Sequence, residues 1–154
     1  MLNESSVNLV KTFEGCKLTA YECATSLSLP ANKKFFTIGW GNTTYEDGSK
    51  VKKNDTITQA RADALLLHSL EGFETQVIKL VRTKLNENQL GAVVSFAYNC
   101  GVGNLKASTL LRRLNDGEYD IQNEFLKWNK ANGKPLAGLT RRRKAEAELF
   151  SKPV

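Results

Sequence analysis

Apolar and polar positions along the chain change period several times, and each change predicts an element. Val7, Leu9, Val10 and Phe13 fall close to helical spacing, which predicts a helix over residues 6–13 capped by Ser5 or Ser6. Glu14-Gly15 ends it, because glycine supplies the left-handed residue that a helix exit favours. Lys17 to Tyr21 alternates polar and apolar residues and predicts a short strand. Residues 24–34, ATSLSLPANKK, read as a small-residue loop broken by Pro30. Phe35 to Trp40 is rich in aromatic and β-branched residues and predicts a second strand. Gly39 and Gly41 flank Trp40 and predict a bend with close backbone approach. Asp47-Gly48 is a hairpin-turn signal, and Ser49 to Lys53 follows it as a polar strand.

The helical period returns at Thr58. That residue is the expected cap of a helix running to about Val81, with Ala60, Ala64, Leu65, Leu66, Leu70, Phe73 and Val77 on its apolar face. His68 lies within it as a surface or partly packed residue. Asn86 to Gln89 has the spacing of a capping box. Leu90 to Tyr98 is apolar nearly all round, the mark of a buried central helix. Asn99 to Asn104 reads as a tight loop; no strand precedes its Gly101 and Gly103, so a dinucleotide site is excluded. Ala107 to Leu114 predicts a short helix with Ser108 near its start, stopped at Asn115-Asp116-Gly117. Tyr119 to Lys130 is amphipathic around Ile121, Phe125 and Trp128, residues 131–135 form a loop, and Thr140 caps a last helix from Arg141 to Phe150. A small sheet followed by helices is α+β, and the sheet is too thin to stand without a helical partner.

Composition narrows the function more than the fold. The 154 residues suit one domain or two small lobes. A formal net charge of +6 favours polyanionic partners: nucleic acid, an anionic membrane face, or a wall rich in carboxylates and phosphates. Three cysteines without CxxC spacing argue against a disulfide framework and a zinc knuckle, and the single His68 removes most histidine-based sites. No metal or cofactor is implied. MLNESSVNLVK is too polar for a secretory signal, and no run reaches the length of a membrane span. The expectation is a protein that accumulates in the cytoplasm that makes it. Arg141, Arg142, Arg143 and Lys144 form the densest basic cluster; it reads either as a wall-facing patch or as a face pairing with Glu146 and Glu148.

The chemistry of the residues points to acid catalysis. A carboxyl at a helix C-terminus, such as Glu14, meets the negative end of the dipole, which favours its protonated form. Glycoside hydrolysis generally needs such an acid and a second group, and Glu22, Cys23, Glu46 and Asp47 are the candidates in this part of the chain. Strand alternation places Glu22 and Cys23 on opposite faces.

FEGCKLTAY, TIGWGNT, SFAYNCGVGNLKASTLLRRLNDGEY and GLTRRRKAEAELF, in that order, resemble the phage-type lysozymes, the endolysins of glycoside hydrolase family 24. The resemblance runs from about Ser6 to Phe150. It implies one lysozyme-like domain over residues 1–154: a small β-hairpin lobe (about 14–57), a connecting helix (about 58–81), and a mostly helical lobe (about 82–154) joined by an N-terminal helix (5–13). It implies cleavage of the β-1,4 bond between N-acetylmuramic acid and N-acetylglucosamine in peptidoglycan, for host lysis and phage release. The glycan strands would be the partner of a monomer, a separate holin-type protein would release it, and it would act on the wall in the periplasm. The family pattern of a Glu, then an Asp or Cys after eight residues, then a Thr falls on Glu14, Cys23 and Thr37. Tyr98, Asn99 and Ser108 are the implied sugar contacts.

Three departures stand out. Cys23 takes the place of the commoner Asp; residues 24–36 make thirteen between the second and third positions where the family usually has five; and Asn42 replaces a frequent His. A thiol is a few per cent ionised at neutral pH. Cys23 would therefore either orient water together with Thr37 or attack the anomeric carbon itself, and Lys17 or Lys33 would favour its thiolate. Two readings from other classes compete with the enzyme: a basic nucleic-acid-binding module, for which no motif is present, and a wall-binding protein without activity.

Overall fold

A computed structural model describes residues 2–23, 29–30 and 33–154. Most of the loop expected at 24–34 lies outside the described residues. The chain divides into two compact units, Glu14–Ser69 and Met1–Phe13 with Leu70–Val154.

In the first unit, β1 (Lys17–Glu22) pairs antiparallel with β2 (Phe36–Gly39), with Tyr21 opposite Thr37, Glu22 opposite Phe36, and an irregularity between Lys17 and Tyr21. Ala20 and Phe36 pack from this hairpin against a core of Ile38, Val51 and Leu65, which Tyr45 and Ile57 complete. Gly39 and Gly41 adopt φ of 64° and 91°, and Ile38 and Asn42 exchange backbone hydrogen bonds around them. This is the bend expected around Trp40.

The polar strand expected at Ser49–Lys53 does not form. Only a single bridge joins Thr44 to Lys50. Around that bridge Tyr45 N donates to Ser49 O at 2.8 Å and Val51 N to Thr43 O at 3.0 Å, so the Asp47-Gly48 turn closes a short irregular hairpin, and side chains brace it. Asp47 Oδ1 accepts from Ser49 N and Oγ at 2.9 and 2.6 Å, and Asp55 accepts from Lys52 N and from the Tyr45 hydroxyl. Burial, followed by that bond to Asp55, pushes the Tyr45 phenol up to about 12. Helix α2 (Gln59–Leu80) starts as expected, with Thr58 Oγ1 accepting from Arg61 N. No helix of the described residues is long and apolar enough to cross a membrane.

The second unit is mostly helical. Helix α1 (Glu4–Glu14) begins earlier than expected: Asn3, not Ser5 or Ser6, supplies the capping oxygen, accepting from Ser6 N and Oγ at 3.0 and 2.6 Å. Helix α3 (Glu87–Cys100) has the full capping box between Asn86 and Gln89. The loop expected at 99–104 is mostly helix. Gly101, at φ 95°, turns the chain in one residue, and α4 (Val102–Ala107) follows at once. Helix α5 (Thr109–Asn115) is capped by Ser108. Helix α6 (Gln122–Leu126) is much shorter than the amphipathic stretch suggested. Residues 131–135 are not an open loop: β3 (Lys130–Ala131) and β4 (Lys134–Pro135) pair around Asn132-Gly133, both at positive φ, the geometry of a tight hairpin turn.

Helix α7 (Ala137–Ser151) starts before Thr140, whose hydroxyl donates back to Leu136 O from inside the helix rather than capping it. The basic cluster consequently sits deeper in the helix than expected, and Arg142 and Arg143 are buried against Glu146. They form no exposed wall-facing patch. Phe96, Phe125, Trp128 and Phe150 meet edge-on or tilted and fill the core between α3, α6 and α7.

One contact inside this unit admits a sharp test. Helices α1 and α3 approach so closely that a Cβ on Gly91 would overlap both the hydroxyl and the Cβ of the buried Ser6. Gly91→Ala gains about 1 kcal/mol of helix propensity, but the overlap forces a backbone shift costing roughly 1–3 kcal/mol. Net destabilisation is expected from the urea midpoint. Ser6→Gly added to it should restore part of the loss, whereas additive losses would place the cause elsewhere.

Candidate functional site

The hairpin sorts its own side chains. Tyr21 and Thr37 are cross-strand partners and share a face. Cys23 lies two residues beyond Tyr21, and its N–H donates to Phe35 O at 2.9 Å, so the pairing continues and Cys23 falls on that same face. Glu22 and Phe36 point the other way, and Glu22 meets Lys34 at 3.3 Å. Of the other two candidates for the second group, Glu46 contacts Arg61 at 3.4 Å and Asp47 is occupied by Ser49. Cys23 is thus the candidate that shares the face of Thr37.

Tyr21 ties the group together. Its phenol is raised above its ordinary range, first by partial burial, next by the neighbouring Glu14 carboxyl and then by Cys23, while a hydrogen bond with Thr37 opposes the shift. A single hydroxyl therefore senses all three residues. Glu14 reaches this position because α1 stops there and Gly15, at φ 68°, redirects the chain into β1. Thr37 is 6% exposed, and Glu14 and Cys23 are half-buried. Sequence reasoning passed over Tyr21; its place two residues before Cys23 on a strand was the available signal. Lys17 sits opposite Gly39, at the far end of the hairpin from Cys23.

Neighbouring groups brace the bend. Trp40 Nε1 donates to Asp63 at 2.9 Å, and the buried Asn42 donates to Ser69 Oγ at 2.7 Å. Asn42 Oδ1 is without a partner among the described residues. The three cysteines are reduced, and Cys16 lies 3.6 Å from Gln59 Nε2. No cluster of His, Cys, Asp and Glu fit to hold a metal occurs among the described residues, and His68 is exposed.

In the helical unit, Tyr98 is half-buried and meets Phe73 edge-on at 5.2 Å, and Asn99 is exposed. Ser108 is 5% exposed. Its hydroxyl donates to Leu105 O at 2.6 Å and accepts from Leu111 N at 3.1 Å. That is the bonding of a helix cap.

As chemistry, the residues around Tyr21 offer a carboxyl, a thiol and a hydroxyl, the group types that acid and nucleophilic catalysis use.

Comparison with known proteins finds relatives across nearly the whole chain. Residues 11–146 match the family model described as phage lysozyme. The endolysin of Bacillus phage B103 is 40% identical over 150 residues, covering 97% of this chain and 53% of the relative. This chain thus spans about half the length of that relative. The endolysin of Salmonella phage P22 is 35% identical over 151 residues, covering 97% of this chain and 98% of the relative. Among solved structures, the muramidase domain of SpmX from Asticaccaulis excentricus superposes with a TM-score of 0.84 at 31% identity, covering 99% of each chain. The α+β arrangement of a small hairpin sheet and many helices is the lysozyme-like one, and the chain belongs to the phage lysozyme family.

Proposed function

We propose that this protein is an endolysin that hydrolyses the β-1,4 bond between N-acetylmuramic acid and N-acetylglucosamine in peptidoglycan, with Glu14, Cys23 and Thr37 as its reacting groups. The observation that carries this is the convergence at Tyr21, whose phenol sits beside Glu14 and Cys23 and bonds to Thr37. Glu14 gives its proton to the glycosidic oxygen as the bond to the anomeric carbon breaks. Water attacks that carbon from the opposite side, held by the Thr37 hydroxyl and losing its proton to Cys23 in its thiolate form. Passage of that proton back to Glu14 restores the starting state. In the variant of this scheme Cys23 attacks directly, and a thioglycosyl intermediate is later hydrolysed. Tyr21 acts by positioning, fixing Thr37 beside the thiol. Tyr98 and Asn99 are the sugar contacts we favour in the helical unit; Ser108 is better placed to hold the α4–α5 junction. Lysis of the host, release past the membrane by a holin-type partner and action as a monomer complete the proposal.

The test is clearing of a suspension of outer-membrane-permeabilised bacteria, with the products identified by their reducing sugar. Release of N-acetylmuramic acid ends supports the proposal; wall binding without clearing, or salt-sensitive DNA binding without clearing, overturns it. The Cys23 series separates the mechanisms. If the sulfur only accepts a proton, Cys23→Asp retains clearing because a carboxylate does the same work, whereas Cys23→Ala falls roughly 10²-fold or more. An unimpaired Cys23→Ala enzyme would remove Cys23 from the site. The anomer of the first product, read by NMR, distinguishes water attack from attack by sulfur.

A further inference from the structure

The turn-rich side of the first unit holds a second feature that none of this chemistry uses. A pocket of about 580 Å³ is lined by Lys33, Lys34, Phe35, Thr43, Thr44, Lys50 and Val51. Its charge is one-sided. Lys34 has a partner in Glu22 at 3.3 Å, but the ammonium groups of Lys33 and Lys50 meet no carboxylate among the described residues. Among the described residues no acid lines the pocket. Like charges gathered around a concave wall repel one another and focus a positive potential into it, a cost recovered only when an anion enters. The rest of the lining is equally specific. Val51 belongs to the packed core and forms a fixed floor, and Phe35 offers a partly exposed ring. Thr43 and Thr44 add hydroxyl-bearing side chains to the lining.

We propose that this pocket binds a short acidic peptide, its carboxylates on Lys33 and Lys50 and its small apolar side chains on Phe35 and Val51. A bare phosphodiester chain would use the lysines and leave the ring and the valine floor idle. A peptide uses both, and its amides suit the hydroxyls of Thr43 and Thr44. That such peptides would come from the wall rests on the function proposed above; the pocket's chemistry does not. Because Cys23 N bonds Phe35 O, an occupant would sit against the end of the hairpin that carries the thiol.

The experiment reads binding, not turnover. The uniformly ¹⁵N-labelled full chain is titrated with the peptide Ala-Glu-Ala carrying free carboxylates, with the same peptide amidated at both carboxyls, and with inorganic phosphate. The acidic peptide should shift the amides of Phe35, Thr43, Thr44 and Lys50 and weaken with added salt. The Lys33→Ala/Lys50→Ala pair should lower its affinity about tenfold, the loss expected from two partly exposed ion pairs. Both lysines are exposed, and a melting curve confirms that the double variant is folded. Three results would overturn the proposal: equal binding of the amidated peptide, unchanged affinity in the double variant, or phosphate shifting the same amides at least as strongly. Since no glycan is cleaved in the measurement, a protein that binds the peptide yet clears no bacteria would sink the muramidase proposal and leave this one standing.

Discussion

Glu14→Gln is expected to lower the clearing rate of permeabilised bacteria by about 10³-fold or more while leaving a folded protein. The expectation follows from what the substitution removes. Glutamine keeps the shape of the side chain and its ability to hydrogen-bond, but it has no proton of suitable acidity to give to the glycosidic oxygen. A positioned general acid contributes typically 10²–10⁴ to such a step. The upper part of that range is appropriate because departure of an unprotonated sugar alkoxide is the difficult event in glycoside cleavage. The Tyr21 phenol supplies a second readout. It is raised in part by the Glu14 charge, so Glu14→Gln should move the tyrosine titration downward. That shift checks that position 14 lies beside Tyr21 even in an inactive variant. Retention of more than about a tenth of the activity would remove Glu14 as the acid, whatever the phenol does.

The sequence carried the β1–β2 hairpin well because strand alternation is a strict rule. It placed Glu22 and Cys23 on opposite faces before any coordinates, and the pairing of Tyr21 with Thr37 then identified which face was which. It carried the helix starts only where the cap was local. Thr58 and the Asn86–Gln89 box bond within their own turn and were legible. Thr140 has the right residue type but lies within α7, and Asn3, which caps α1, was passed over in favour of two neighbouring serines. The Asn132-Gly133 hairpin was read as a loop, although Asn-Gly is itself a strong turn signal. Nor does the one-dimensional pattern show burial of charge. Arg142 and Arg143 look like a surface patch in sequence, since nothing near them announces that Ser95 on α3 will meet them. The lysines of the pocket were hidden for a related reason: Lys33 and Lys34 are separated from Lys50 by the whole of β2 and its turns.

That buried charge leads to the largest effect expected on stability. Arg143 and Glu146 are fully buried and Arg142 is 3% exposed. Glu146 Oε2 accepts from Ser95 Oγ at 2.6 Å, from Arg143 Nη2 at 2.9 Å and from Arg142 Nε at 3.3 Å. Its Oε1 lies 2.7 Å from Arg143 Nε as an ion contact, without the alignment of a hydrogen bond. Arg143 also stacks over Phe96 and donates to Cys100 Sγ. Burial pushes the Glu146 carboxyl upward, and Arg143, Ser95 and Arg142 pull it back; donors converging on one carboxylate are the arrangement of its ionised form. Glu146→Gln keeps the volume but strands two guanidiniums in the interface between α3 and α7. Breaking a buried pair in this way costs about 3–5 kcal/mol. For a chain of this length that is a fall in melting temperature on the order of 10 °C. The decisive comparison is Arg143→Met with Glu146→Leu. If the loss comes from an uncompensated charge, the apolar pair should be more stable than Glu146→Gln alone, because it removes one of the two buried cations, Arg143, together with its carboxylate, while Arg142 keeps its bonds to Ser95. If instead the double variant is the less stable of the two, the network acts through packing and hydrogen bonds rather than through charge balance.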